Sequence, residues 1–382
     1  MPENSEVSVA ASFEEGLRSR LAMVIEPTLG VDLVTLGLIE ISKGMLRAPS
    51  VTIRQPRVNE ADQGQIRNQL AQILAEDDKL SRADLTFDAM STEHLKELGA
   101  RLELLKAKWP SSAGAQDIAF GDESHPTRVI GISSGKGGVG KSSMTANLAV
   151  ALAKEGFRVG VLDADVYGFS IPPMLGVGDY PLLAGTLMVP PRAHGVNVMS
   201  VGFFVEPNTP VVWRGPMLHK AIEQFVRDVF WGNLDYLLVD MPPGTGDVAL
   251  SIGQFLPRAE VIVVTTPQDA ASSVAQRSAL AARALKLPIR GVIENMSYFV
   301  GDDGSSYEIF GAGGGASIAS ELGVPLLGQV PLSVALRQGG DRGFPVVVDD
   351  PTSDVSSAIG GIAKRIVDLG PMRRYRSELK IR

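Results

Sequence analysis

The chain has no cysteine among its 382 residues. That absence excludes disulfides and any metal or cluster site built on the chain's own thiolates. Histidine is nearly as scarce. The four, His94, His125, His194 and His219, are widely spaced and give no pattern of a metal cage. Charged residues make up 21% of the chain and the net charge is −7, so no broad basic face for nucleic acid is expected. No apolar run approaches the roughly 20 residues of a membrane-spanning helix. The first residues, Met1-Pro2-Glu3-Asn4-Ser5-Glu6, are acidic and polar where a secretory leader needs a basic segment and an apolar run. The expectation is a cytoplasmic protein with neither nucleic acid nor membrane as a partner.

What the chain has is length, ordinary hydrophobicity and one telling glycine run. At 382 residues and 45% hydrophobic content it has material for two domains, each with its own core. The run is Gly135-Lys136-Gly137-Gly138-Val139-Gly140-Lys141-Ser142. It follows the apolar strand Val129-Ile130-Gly131-Ile132 and opens a helix that begins near Ser143 and Met144. Strand, then G-x-x-x-x-G-K-S, then helix is the order a phosphate-binding loop requires. The glycines let successive backbone N–H groups form an anion nest, and the helix N-terminus adds partial positive charge. Lys141 reaches the β- and γ-phosphates, and the Ser142 hydroxyl binds Mg²⁺. Residues 135–143, from Gly135 to Ser143, are the expected nucleotide cradle, with ATP and Mg²⁺ as cofactors.

Periodicity divides the chain. Residues 1–106 read as a small α/β domain, with helices over 13–25, 63–74 and 92–106 and strands over 36–42, 50–54 and 83–87. Gly44 marks a turn, and Ser91 is placed to cap the third helix. Residues 107–126 are rich in small, polar and breaker residues and read as a linker. From 127 to 370, strands at 129–133, 158–163, 236–240, 260–265, 289–295 and 326–330 alternate with helices near 143–155, 216–230, 247–256, 269–285, 315–322 and 354–369. Residues 196–201 add an edge hairpin. The pattern predicts a doubly wound, mostly parallel sheet, whose ligands sit at the carboxyl ends of its strands. Residues 371–382 form a basic tail.

Three strand ends carry polar groups of interest. Asp163 and Asp165 end the second strand of this domain. Asp163 suits the magnesium shell and Asp165 suits orientation of the attacking water, although D-x-D also serves turns and helix caps. Tyr236-Leu237-Leu238-Val239-Asp240 is a Walker B strand, with Asp240 supporting Mg²⁺ through a bound water. Met241-Pro242-Pro243-Gly244-Thr245-Gly246-Asp247 follows, a segment suited to order around the γ-phosphate and relax after hydrolysis. Asn295 ends a further strand. Its amide suits an adenine edge, and equally a turn.

The spelling K-G-G-x-G-K-S, with Lys136 as a second lysine, resembles the deviant Walker A group, which includes cell-division and partition ATPases and nitrogenase iron protein. Longer stretches resemble one branch, the Mrp/ApbC family. They include Asp163-Ala164-Asp165-Val166-Tyr167-Gly168, Trp213-Arg214-Gly215-Pro216-Met217, the segment from Asp240 to Asp247, and Glu294-Asn295-Met296-Ser297-Tyr298-Phe299. The N-terminal part is similar to the small α/β domain often fused ahead of these ATPases. The resemblance implies a homodimeric ATPase with Lys136 reaching the partner's phosphates, and Lys136, Lys141 and Asp165 as the catalytic set. It implies metal-site roles for Ser142, Asp163 and Asp240. It also implies a carrier of iron–sulfur clusters whose partners are assembly proteins or client apoproteins.

The chain departs from the family at one place. Where the family's C-x-x-C pair would bridge a cluster between subunits, this sequence reads Gly301-Asp302-Asp303-Gly304. Glycine offers no ligand, and the aspartates are hard oxygen donors. The expectation is that no cluster is held by this chain's own cysteines and that 302–304 is a solvated turn. Two rival readings remain. In one the protein is a membrane- or partner-positioning ATPase, its tail placing Met372, Tyr375 and Leu379 on one helical face. In the other it is a nucleotide-gated interaction protein.

Overall fold

The computed structural model describes residues 15–42, 50–74, 84–108, 120, 122, 125–166, 168–205, 215–243, 247–268, 287–301 and 303–372. Several expectations lie outside the described residues. These are the turn at Gly44, most of the linker, Gly244 and Gly246 of the segment after the Walker B strand, the helix over 269–285, Asp302 and the tail over 373–382.

The chain forms two compact units. The first contains a helix over 15–21, helix α1 (Leu33–Leu36), strands β1 (Ile39–Ser42) and β2 (Ser50–Gln55), helix α2 (Glu60–Leu74), strand β3 (Asp84–Ala89) and helix α3 (Thr92–Lys106). The strands pair in the order β1-β2-β3, the first pair antiparallel and the second parallel. Ser91 caps α3 as expected, its hydroxyl accepting from His94 N. The strand expected over 36–42 begins only at Ile39. Asp32 accepts from Thr35 N at 2.8 Å and so nucleates α1 instead, and Gly37, at φ 67°, ends it.

The first unit also takes residues 180–191 and 228–233, from within the 127–370 stretch of the sequence. Strands β6 (Leu182–Ala184) and β7 (Leu187–Val189) form a hairpin whose Ala184, Leu187 and Val189 join Leu98, Leu102 and Phe230 in one buried cluster. The hairpin approaches α3 at Gly99, where an added Cβ would stand 2.4 Å from the Ala184 carbonyl oxygen. This packing joins residues distant in sequence, so local periodicity carries no sign of it.

The second unit is built on an eight-stranded sheet. Its strands are β4 (Arg128–Ser134), β5 (Val159–Asp163), β8 (Arg192–Ala193), β9 (Val196–Ser200), β10 (Tyr236–Asp240), β11 (Glu260–Thr265), β12 (Ile289–Asn295) and β15 (Leu326–Val330). Their order is β15-β12-β11-β4-β10-β5-β9-β8, all neighbours parallel except the edge hairpin β8–β9. The chain belongs to the α/β class with P-loop NTPase architecture, as the sequence predicted.

Alternate strand residues face alternate layers. Ile130, Ile132, Val161, Leu238, Ile262 and Val264 share one core with Met144, Leu148 and Leu152 of helix α4 (Lys141–Lys154) and with residues 359, 362 and 366 of a late helix, Asp354–Leu369. Each such aliphatic side chain contributes on the order of 1.5–3 kcal/mol on burial. Being covered on both faces explains why β10 and β11 are buried at every position.

Between these elements lie short ones that breaker residues obscured. They are α5 (Ile171–Met174), the hairpin of β13 (Phe299–Val300) and β14 (Ser306–Tyr307), and a helix over Val334–Arg342, capped by Ser333 and containing two glycines. Register positions the site. In β10, Asp240 lies level with Asp163 of β5 and with Ile132 of β4, so β10 and β5 end together while β4 runs on to Ser134 and delivers the loop beside them.

Candidate functional site

The loop after β4 is shaped by its glycines. Gly138 and Gly140 have φ of 80° and 83°, a region that a side chain disfavours. Gly140 is the residue before α4 and offers no side-chain cap, so the first N–H groups of the helix are left for a ligand. Val139 is the loop's buried anchor, 2% exposed. Its carbonyl accepts from Asn295 Nδ2 at 2.9 Å. A Cβ on Gly140 would fall 2.2 Å from that same nitrogen, so the asparagine and the glycine fit only together.

Lys141, the first residue of α4, is buried with its ammonium among carboxylates. Nζ lies 2.7 Å from Asp240 Oδ2 and 3.2 Å from Asp165 Oδ2. Ser142 Oγ donates to Asp240 Oδ2 at 2.6 Å. Thr145 Oγ1 donates to Asp240 Oδ1 at 2.7 Å. Asp240 is fully buried and takes donors on both oxygens, the condition for holding a carboxylate away from water.

Asp163 stands one strand over, also fully buried. Its Oδ2 accepts from Ser200 Oγ at 3.0 Å and from Ile171 N at 3.2 Å, and its Oδ1 from Asp165 N at 3.2 Å. Burial, and then the nearby Asp240 charge, push its pKa up to about 7 against the pull of those hydrogen bonds. Both oxygens of Asp163 thus carry hydrogen bonds from this chain, as both oxygens of Asp240 do.

Two adjoining hollows meet at the loop. One, of about 350 Å³, is lined by Lys136, Gly138, Lys141, Ser142, Asp165 and Pro243. The other, of about 550 Å³, is lined by Asn295, Met296, Pro331 and Leu332 among others and shares Gly140 and Ser143 with the first. The hard oxygens of Ser142, Asp240 and Asp165 beside a positive helix end fit Mg²⁺ and a phosphate chain.

Most residues predicted from sequence converge here. Gly135 to Ser143, Asp163, Asp165 and Asp240 surround the strand ends. Lys136 lies at the rim with Nζ 3.1 Å from Gln268 Oε1. Asn295 reaches the site in another manner than the adenine role implies. Its Nδ2 is given to Val139, while Oδ1 is buried without a hydrogen-bond partner among the described residues. Sequence reasoning missed Thr145 and Ser200. Thr145 carried a signal, a hydroxyl one turn beyond Lys141 in an otherwise apolar stretch. Ser200 carried none, because its place opposite Asp163 follows only from strand pairing.

The hairpin β13–β14 carries Gly301 and Gly304, the two positions singled out in the sequence. Gly301 N donates to Ser305 O and Gly304 N to Gly301 O, both at 2.9 Å. Asp303 accepts from Ser305 N at 3.0 Å, and the hydrogen bonds from Ser305 and Tyr307 hold this exposed carboxylate below its usual range. Among the described residues no group of three or more His, Cys, Asp or Glu is placed to hold a metal ion, and no helix is long and apolar enough to cross a membrane.

Known proteins match this arrangement. Residues 125–367 match the family described as NUBPL iron-transfer P-loop NTPase, within the ParA group. The iron-sulfur cluster carrier protein of Mycobacterium tuberculosis is 42% identical over 354 residues, covering 91% of each chain. The protein of the same name from Deinococcus radiodurans is 39% identical, covering 93% of this chain and 95% of its own. A nucleotide-binding protein from Archaeoglobus fulgidus, solved with ADP, superposes with a TM-score of 0.51 at 34% identity, covering 59% of this chain and 89% of its own.

Proposed function

This chain belongs to the iron-transfer P-loop NTPase family, and from that premise we propose that it binds and hydrolyses Mg-ATP as a homodimer that serves iron–sulfur cluster handling in the cytoplasm. The observation that carries the reading is the convergence of Lys141, Ser142, Asp165 and Asp240 at the N-terminus of α4. Lys141 neutralises the β- and γ-phosphates, and the loop N–H groups cradle them. Ser142 would hold Mg²⁺ through an Oγ lone pair while its hydroxyl donates its hydrogen bond to Asp240. When bound, the ion neutralises charge developing on the phosphate oxygens. Asp165 orients the attacking water. Lys136, at the rim, crosses to the partner's phosphates when two copies close.

The relatives named as cluster carriers favour cluster handling over positioning at a membrane. The cluster is cargo here. With no cysteine in the chain, its thiolate ligands come from a donor or a client, or from a small thiol, and the ATPase supplies a nucleotide-gated grip on one of them. The test mixes a cluster-loaded donor, an apo-acceptor and this protein anaerobically. Acceptor maturation should speed up with Mg-ATP and this protein together. Maturation at the same rate without the protein defeats the carrier reading, and an absence of Mg-dependent ATP turnover defeats the enzymatic one.

A further inference from the structure

Thr145 belongs to no part of the phosphate-loop motif, yet it is completely buried against the site. It lies one helical turn after Lys141, so the two side chains share a face of α4. Thr145 Oγ1 is 2.7 Å from Asp240 Oδ1 and 3.0 Å from the Lys141 carbonyl oxygen. A threonine hydroxyl has a single proton, and the carboxylate is the nearer and stronger acceptor, so the proton goes to Asp240. Among the described residues Thr145 is the only donor on Oδ1. The other oxygen, Oδ2, takes the Ser142 hydroxyl at 2.6 Å and the Lys141 ammonium at 2.7 Å.

We propose that Thr145 is a positioning residue for the magnesium site: it fixes the Asp240 carboxylate in the one orientation in which Oδ2 receives the Ser142 proton, so that the Ser142 lone pairs face the phosphate hollow. The proposal rests on the Mg-ATP reading above. Its physical basis is the second layer of a metal site. A ligating hydroxyl is only as well aimed as the group that holds its proton, and that group is only as well aimed as what holds its far oxygen. Without the Thr145 hydroxyl, Oδ1 is buried and unpaired. The carboxylate then turns to share Oδ2's donors between its two oxygens, and Ser142 is released.

The test compares full-length wild type with Thr145→Val and Thr145→Ser. Two quantities are measured: ADP affinity in EDTA, and Mn²⁺ affinity of the ADP-loaded protein by electron paramagnetic resonance. The valine variant should bind metal-free ADP as wild type does, because the loop N–H groups and Lys141 remain. Its half-saturating Mn²⁺ should rise at least about tenfold, the usual scale for loss of such a supporting contact. Serine should restore it. If valine's second methyl disrupts folding, Thr145→Ala removes the same hydroxyl and the same comparison applies. Unchanged Mn²⁺ affinity in the hydroxyl-free variants overturns the proposal, as does a loss that serine fails to repair. Wild-type protein that binds no Mn²⁺ with ADP instead overturns the Mg-ATP reading itself.

Discussion

Lys141 and Asp165 form an ion pair of 3.2 Å across the phosphate hollow, with the lysine's other carboxylate partner, Asp240, at 2.7 Å. The ammonium thus has two carboxylates before any phosphate arrives, and a phosphate must compete with them. Neutralising the outer one should ease that competition while removing the group proposed to orient water. Asp165→Asn is expected to bind ADP more tightly than wild type and to turn over ATP about 10²-fold more slowly or worse. Opposite movements of affinity and turnover, read by calorimetry and phosphate release, are the expected signature. Parallel losses in both would reduce Asp165 to a structural partner of Lys141.

Lys141→Ala removes the buried ammonium and leaves phosphate charge uncompensated where water is scarce. Turnover should fall by at least about 10²-fold, the loss seen for a single preorganised electrostatic contact. Because Asp240 and Asp165 would then face each other across the gap, Lys141→Met, which is of similar length, is the fold control. Full ATPase activity in either variant would falsify the assignment of this loop.

Lys136 has its ammonium 3.1 Å from Gln268, at the rim of the hollow that Lys141 and Asp165 also line. On the proposed reading, Lys141 serves its own subunit's phosphates and Lys136 serves the partner's. Lys136→Ala should bind nucleotide normally and fail to dimerise with ATP, whereas Asp165→Ala should accumulate the ATP-bound dimer. Light scattering with ATP and with ADP separates the two. A Lys136→Ala protein that forms a turnover-competent dimer removes the role in trans.

The parts of this site legible in the sequence are those fixed by contiguous spacing. The loop from Gly135 to Ser142 and the strand ends at Asp163, Asp165 and Asp240 declare themselves because strand, turn and helix are local events. The parts that were not legible depend on which strands become neighbours. Ser200 meets Asp163 only because β9 pairs with β5. Asn295 gives its amide to Val139 only because β12 ends beside the loop, a contact that no property of Asn295 announces. The packing of the hairpin over 182–189 was not legible for the same reason, its apolar residues being completed by Leu98 and Leu102 far upstream.

His125 gives a pH dependence with a definite sign. Burial and then the Arg258 charge lower its pKa from 6.5 to about 4, with Asp122 acting weakly the other way. The folded protein therefore keeps this imidazole neutral where the unfolded chain protonates it. Its contribution to stability is complete above pH 6.5 and is lost as pH falls from there towards 4. His125→Gln retains an acceptor for Thr127 N, which His125 Nδ1 meets at 3.3 Å, and abolishes the titration. Melting temperatures of wild type minus variant should decline across that window. A difference that stays flat would show that the ring titrates as it does in water.

The last expectation concerns the β13–β14 hairpin, where the family resemblance would put a C-x-x-C pair. Purified alone and reconstituted anaerobically with iron and sulfide, the protein should retain no stable cluster after desalting. A cluster bridging two copies needs ligands from each, and neither has a cysteine. The turn geometry sharpens the complementary experiment. Gly304 has φ of 77°, so a cysteine there is strained by roughly 1–2 kcal/mol, while a Cβ at Gly301 would meet the Asp303 carboxylate at 2.8 Å. That carboxylate ends an exposed side chain, and moving it aside costs its hydrogen bonds from Ser305 and Tyr307. The backbone at 304 cannot relax without breaking the Gly304 N–H to Gly301 O bond that closes the turn. Gly301→Cys with Gly304→Cys should therefore recover cluster binding only in part, and moving the second cysteine to Ser305 should recover no more. Iron and acid-labile sulfide, counted against protein after desalting, decide both points. Stoichiometric iron and sulfide in the unmodified protein would show that ligands other than thiolates hold the cargo, and the argument from missing cysteines would fall.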